Sequence, residues 1–308
     1  MSRFEISLWA LLILQLIVWS GLELSKPERD ALIEKSKTLI QMDLESVSSL
    51  ELAGEEKSLS FKLENEVWKN KTGDFFPINQ DQLNALIGKI VGLKRGLPVS
   101  VSEASHDRFK VSNDNFFARL VLKSEGGDKI TVFFGEQPTL RQTYARLRAE
   151  NFVFVVDIES WELDTGIDHW LDKKYLKIAA DEVVSVRLKD FEFEKSGSEY
   201  HLKDTDRTEY DSSKISRFLK ELFELRIESV VPDNLVSERN SEFEELFLFK
   251  KKNGTTGSVL IIPTAEEGKT SYFIKRSDRE GVYTMVPDKV EKILAVSLEG
   301  FLLEAESN

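Results

Sequence analysis

There is no cysteine in the 308 residues. That single absence excludes disulfides, thiolate metal sites and cysteine nucleophiles together, and with them the modified cysteine of a lipoprotein signal. Histidine is scarce: His106, His169 and His201 lie far apart, and none has another histidine one helical turn away. Each reads as a structural or solvated side chain. Positive charge is in deficit, with 42 basic against 54 acidic residues and a net charge of -12. An acidic surface repels phosphate backbones, so nucleic acid is not an expected partner. The chain also lacks a glycine-rich phosphate loop, a Gly-x-Ser-x-Gly elbow and a His-Glu-x-x-His pair. No cofactor or metal is expected.

What is present begins with one apolar run. Ile6 to Leu22 is seventeen residues without a charge, thirteen of them apolar. As a helix it would cover about 25 Å, at the short end of what spans a bilayer. The residues expected to form this anchor are Ile6, Leu8, Trp9, Leu12, Ile13, Leu16, Ile17, Trp19 and Leu22. Trp9 and Trp19 stand near its ends, where indole rings favour the membrane interface. A cleaved signal would need small residues at -3 and -1 of its exit, a spacing that Trp19-Ser20-Gly21-Leu22-Glu23-Leu24 does not offer. A buried core helix is rarely so apolar all round. The expectation is therefore an uncleaved single-pass anchor over 1–24 in a bacterial inner membrane. Arg3 favours an inside amino terminus, which puts the rest of the chain in the periplasm or another extracytoplasmic space. Ser25-Lys26-Pro27-Glu28 reads as a helix start, and 25–39 as a short helical stalk.

Beyond residue 40 the chain repeats itself. ESVSSLEL from Glu45 and DEVVSVRL from Asp181 both alternate apolar and polar residues, matching Val47, Leu50 and Leu52 to Val183, Val186 and Leu188. Phe61 then corresponds to Phe193, and Trp68 to Tyr200. Leu83, Leu86, Ile87, Ile90 and Leu93 correspond to Ile215, Phe218, Leu219, Leu222 and Leu225, one apolar helix face in each case. FFARLVLK from Phe116 resembles FEELFLFK from Phe243, and the turn signal Gly126-Gly127 matches Asn253-Gly254. Further on, Tyr144 is matched to Tyr272 and Phe154 to Tyr283. Each repeat reads as three strands, a helix, a connecting segment, four strands and a terminal helix, over 40–176 and 177–308. Strands in runs joined by short turns predict an α+β fold, two tandem antiparallel sheets with helices on one face of each.

This order of parts resembles the bacterial family known as domain of unknown function 4340. The likeness is carried by the strand from Asp43 to Leu52, Trp68 before Phe76-Pro77, the helix from Gln80, and Trp170-Leu171-Asp172-Lys173-Lys174-Tyr175-Leu176 leading into Ala180-Asp181-Glu182-Val183. Asp107-Arg108-Phe109-Lys110-Val111 departs from the family pattern in the connecting segment. The resemblance implies a membrane helix followed by repeated units, and an association with ABC-type transport or gliding-motility membrane components. It supplies no catalytic residues.

The remaining candidates for chemistry are weak. Asp164, Asp168 and Asp172 recur every four residues and would share one helix face if the helix were continuous, but Gly166 interrupts it. Asp204, Asp206 and Glu209 read as a turn cluster. Lys250-Lys251-Lys252 reads as a solvated hairpin tip. Arg141, Arg146 and Arg148 flank Tyr144 and could form a cation–π or anion-binding patch. The function expected is that of a non-enzymatic, membrane-anchored accessory subunit that docks membrane transport or assembly proteins. The alternatives are a ligand-binding module with a site between the two units, or a carboxylate-dependent hydrolase.

Overall fold

In the computed structural model the described residues are Gln15 and 38–303, apart from 74, 190, 205–209, 238, 240, 241, 267 and 268. The nine residues named as the anchor, and nearly all of the stalk, lie outside them. Among the described residues no helix is long and apolar enough to cross a membrane. The chain forms two compact units, Met1–Val67 with Asn84–Thr165, and Trp68–Leu83 with Gly166–Asn308.

Each repeat builds one seven-stranded sheet. The first contains β1 (Val47–Ala53), β2 (Ser58–Glu64), β3 (Val67–Asn70), β4 (Ala118–Ser124), β5 (Lys129–Phe134), β6 (Thr143–Leu147) and β7 (Phe154–Val156). The second contains β8 (Val183–Leu188), β9 (Phe191–Ser196), β10 (Glu199–Leu202), β11 (Glu244–Lys251), β12 (Thr256–Glu266), β13 (Lys269–Arg276) and β14 (Tyr283–Met285). Their strand orders are the same, β3-β2-β1-β4-β5-β6-β7 and β10-β9-β8-β11-β12-β13-β14. Both sheets are antiparallel, as the alternation of the sequence predicts.

Register shows how closely the repeats agree. Leu50 faces Phe61 and Leu122, and Val186 faces Phe193 and Phe249. A bulge leaves Ser48 as the extra residue of β1 against β4, and Val184, at the same position in the second repeat, as the extra residue of β8 against β11. Gly127 and Gly254 take the same left-handed backbone, with φ of 91° and 85°, in equivalent hairpins. One expected match is off by a residue. Phe154 pairs with Ala145, and Tyr283 pairs with Ile274, so Tyr144 corresponds to Phe273 and not to Tyr272. A one-residue slip in a strand moves a side chain to the opposite face, and two tyrosines in similar surroundings concealed it.

The two long helices sit where the apolar spacing puts them, but helices are not confined to one face of each sheet, since Val236 of the short helix Asp233–Ser237 packs on the opposite face of the second. α1 (Gln80–Gly92) and α3 (Ser212–Phe223) follow the third strand of their repeats, separated by the four-residue α2 (Ile167–Trp170) in chain order. Leu83, Leu86, Ile87 and Ile90 of α1 are buried, as are Ile215, Leu219 and Leu222 of α3. Gln80, at the start of α1, accepts from the Trp68 backbone N–H at 2.8 Å and donates to its carbonyl at 2.9 Å. Asp211 caps α3 by accepting from the N–H groups of Ser213 and Lys214, and these bonds, led by the Ser213 hydroxyl, hold its carboxyl below the usual range. The incoming chain is stitched to the helix end in the same way twice, Leu39 N–H to Leu93 O and Ile178 N–H to Phe223 O. α4 (Asp233–Ser237) and α5 (Pro287–Leu294) complete the second repeat.

The other sheet face is covered differently in each repeat. In the first, Val111, Phe133 and Val153 form a buried cluster with Phe109, Phe116 and Tyr144 packed against it. In the second, Val231, Ile262, Phe273 and Val282 do so, with Val236 of α4 and Phe243 against them. A cation is sunk in each. Arg146 lies over the Phe133 ring at 4.8 Å, and Lys275, its register equivalent, over Phe243 at 3.9 Å. Burial lowers the pKa of both. Arg146 donates to the carbonyls of Val111 at 2.7 Å, Glu150 at 3.2 Å and Leu147 at 3.4 Å, and to Asn113 Oδ1 at 3.3 Å. It thereby staples the connecting segment to the sheet. Gly135 closes the same junction, since a Cβ there would meet the Phe109 carbonyl at 1.9 Å.

Two outcomes test this account. Phe61→Ala and Phe193→Ala should each destabilise the protein by about 3–5 kcal/mol in denaturant titration, because both rings are fully buried at equivalent places. Arg146→Leu should destabilise by about 2–4 kcal/mol, since each buried carbonyl left without a donor costs about 1–3 kcal/mol, whereas Arg148→Leu, on an exposed side chain, should change stability by less than about 0.5 kcal/mol.

Candidate functional site

The segment that Arg146 holds down forms one wall of a cleft of about 580 Å³ in the first unit. Gly54 and Glu55 come from the β1–β2 hairpin, Lys110, Asp114, Asn115 and Phe117 from the connecting segment, and Glu136 from the loop after β5. A 3₁₀ turn, Ser160–Leu163, supplies the opposite wall with Ser160, Trp161 and Leu163, followed by Asp164 and Thr165. That turn is fixed by its own ends. Glu159 and Glu162 form a reciprocal capping box, and Glu162 also pairs with Lys89. Trp161 is 58% exposed, and its indole N–H donates to Glu159 Oε2 at 2.7 Å, which orients the ring.

Four carboxylates line this cleft, on Glu55, Asp114, Glu136 and Asp164, against one lysine. That lysine, Lys110, has a left-handed backbone with φ of 52° and pairs with Glu136 at 2.9 Å. The hydrogen bond and charge of Glu136 hold its pKa above the usual value. The arrangement offers carboxylate acceptors beside two exposed aromatic faces, Phe117 and Trp161. Such a surface suits a cationic group bearing several N–H donors, which can bond to the carboxylates and stack on the indole. A second hollow of about 520 Å³ lies in the second unit, with Phe218, Leu222, Met285 and Ile293 beside Arg226, Lys289 and Lys292.

Of the residues singled out from the sequence as candidates for chemistry, Asp164 lines the cleft and the other described ones lie elsewhere. His106 is buried and its Nε2 bonds the Asn151 carbonyl at 2.9 Å. His169 is bonded to Gln82 at 2.9 Å and stands edge-on to Trp170. His201 is a half-buried member of β10. Asp164, Asp168 and Asp172 do not share a helix. Asp164 ends the 3₁₀ turn in an extended conformation, Asp168 belongs to α2, and Asp172 follows it, accepting from the Lys174 N–H. Asp204 has a left-handed turn backbone, φ 58°, while Asp206 and Glu209 lie outside the described residues. Lys250, Lys251 and Lys252 do reach the β11–β12 hairpin tip, where Lys251 pairs with Asp278 at 3.0 Å. Arg141 and Arg148 are exposed, while Arg146 stacks on Phe133, and Phe109 is the ring against Tyr144. Among the described residues no three His, Asp or Glu side chains are placed to hold a metal ion.

The cleft residues carry almost no sequence signal because they come from four separate segments. Trp161, an indole inside the acidic run Glu159-Ser160-Trp161-Glu162, is the one that could have been noticed.

No curated protein and no solved structure matches the chain. A family model described as a domain of unknown function (DUF4340) matches residues 68–245, more than half of the chain and a span that runs from β3 of the first repeat into β11 of the second. The chain belongs to the DUF4340 family.

Proposed function

We propose that this protein is a non-enzymatic accessory subunit, anchored in the inner membrane by residues 1–24, whose extracytoplasmic part docks components of a membrane transport or assembly system. The observation that carries the reading is the cleft of the first unit. It presents Glu55, Asp114, Glu136 and Asp164 around the exposed rings of Phe117 and Trp161. The partner it fits is a lysine- or arginine-rich segment of another protein. Trp161 is the expected anchor of that contact, because exposed tryptophans dominate binding energy where they are buried on association. The carboxylates provide steering and register. The family's likeness to proteins found beside ABC-type transport and gliding-motility components supports the choice of a membrane assembly as the setting.

The docking reading is tested in two steps. A lysine-rich peptide should bind the full chain, measured calorimetrically. Trp161→Ala should weaken binding about tenfold or more. Glu55→Gln with Asp164→Asn should weaken it at low salt and flatten its salt dependence. Unchanged affinity in both variants would remove the cleft from consideration. In the native host, alanine at His201, Asp168 or Asp172 should leave the associated phenotype intact, whereas deletion of 1–24 should abolish it and lose the co-purifying membrane proteins. If one of those alanine variants stays folded and membrane-bound yet is inactive, catalysis or metal binding becomes the better explanation.

A further inference from the structure

One stretch of the first unit exposes a run of apolar side chains. Leu97 is 75% exposed, Val99 48% and Val101 61%, in a sequence where Pro98 and Ser100 separate them. The stretch bends at Leu97 and Val99 and docks beside β7, since Val99 N–H donates to Val153 O at 2.8 Å and Ser100 bridges Val153 antiparallel. That pairing puts Val101 opposite Phe152, itself 43% exposed and edge-on to Phe154. The result is an outward apolar stripe on a sheet edge, which a protein in water normally covers or breaks with charge.

The second repeat is an internal control. There the corresponding stretch bridges Tyr283 through Val230, and this register sets Glu228, Val230 and Pro232 at the places of Leu97, Val99 and Val101, and Gly281 at the place of Phe152. Glu228 and Pro232 are exposed there too, but a charge and a glycine break the apolar row. The unbroken apolar row belongs to the first repeat, the one whose helix end Leu39 joins.

The place of that junction indicates what covers the stripe. Leu39 N–H is bonded to Leu93 O, and Leu39, Ile40, Arg95, Arg148 and Glu150 line one hollow of about 480 Å³. Arg95 pairs with Glu150 at 2.8 Å and stacks on Phe154 at 5.2 Å. Exposed Lys94, Lys129 and Arg148 lie on the same segments. Exposed aliphatic and aromatic side chains beside cations are the chemistry of an interfacial contact with anionic lipid. The chain before Leu39 also keeps a bilayer within reach. The 16 residues 23–38 span at most about 55 Å when extended and about 24 Å as a helix. Tethering at that range makes the local lipid concentration high, so a patch too small to hold a free protein suffices.

We infer that the stripe of Leu97, Val99, Val101 and Phe152 is a second membrane contact, seating the first unit on a bilayer with anionic headgroups. The inference rests on the anchor reading given above. The chain's lack of cysteine makes the test direct. Full-length Leu97→Cys, Val101→Cys and, as a control on the exposed face of α1, Ala85→Cys are labelled with an environment-sensitive fluorophore. They are then reconstituted in vesicles of phosphatidylglycerol and phosphatidylethanolamine. Flotation at high salt reads the anchor, and the label reads the stripe. The expected result is flotation together with a blue shift and bromolipid quenching at 97 and 101, with neither at 85. Flotation without a shift at 97 and 101 overturns the inference and leaves the anchor standing. A shift without high-salt flotation overturns the anchor alone, and neither signal overturns both. Cross-linking of position 97 to a protein in native membranes, with no shift in protein-free vesicles, assigns the stripe to a protein partner and overturns the lipid contact.

Discussion

The structure depends on a short apolar row across the middle of each sheet. Leu50 between Phe61 and Leu122, and Val186 between Phe193 and Phe249, are buried in the first and second repeat. Because strand side chains alternate, fixing these rows fixes which face of every neighbouring strand is buried. It also fixes the bulges at Ser48 and Val184, and it sets the face that α3 covers with Ile215, Leu219 and Leu222. The row works as a register lock because a slip by one residue would turn large rings into water at a cost of several kcal/mol.

With that face committed, the repeats were free to diverge on the other. Each keeps a desolvated cation over an aromatic ring there, Arg146 in one and Lys275 in the other. Arg146 does more than stack. Its guanidinium feeds four acceptors and ties the connecting segment to β6. A planar group with five donors can satisfy four acceptors at once, whereas a lysine has only three donors. The second repeat uses a different brace on the opposite face of β13. Arg276 donates to the carbonyls of Leu176 and Lys177 and pairs with Asp278 at 2.5 Å. The cleft with Trp161 is a consequence of the first arrangement, since Lys110, Asp114 and Asn115 stand where the stapled segment leaves them.

The net charge of -12 is unevenly used. Carboxylates gather around the cleft, whereas Arg95, Lys129 and Arg148 line the hollow beside Leu39. Within one unit, surfaces of opposite character suit different partners, and the total charge conceals both.

The periodicity of the chain was enough to establish the α+β class, the three strands and helix that open each repeat and the buried faces of α1 and α3, because those features depend on spacing within one segment; the terminal helix expected in the first repeat is only a 3₁₀ turn and the four-residue α2. It placed Phe61 with Phe193 and Phe154 with Tyr283, but misplaced Tyr144 by one residue, since similar residue types tell nothing of which way a strand side chain points. It also left Asp164, Asp168 and Asp172 as a possible shared face, which the extended backbone at Asp164 and Gly166 divides. The cleft, the burial of Arg146 and the exposure of Leu97 and Val101 were decided only by the tertiary structure. Each depends on which distant segments meet, and local pattern carries no record of such meetings.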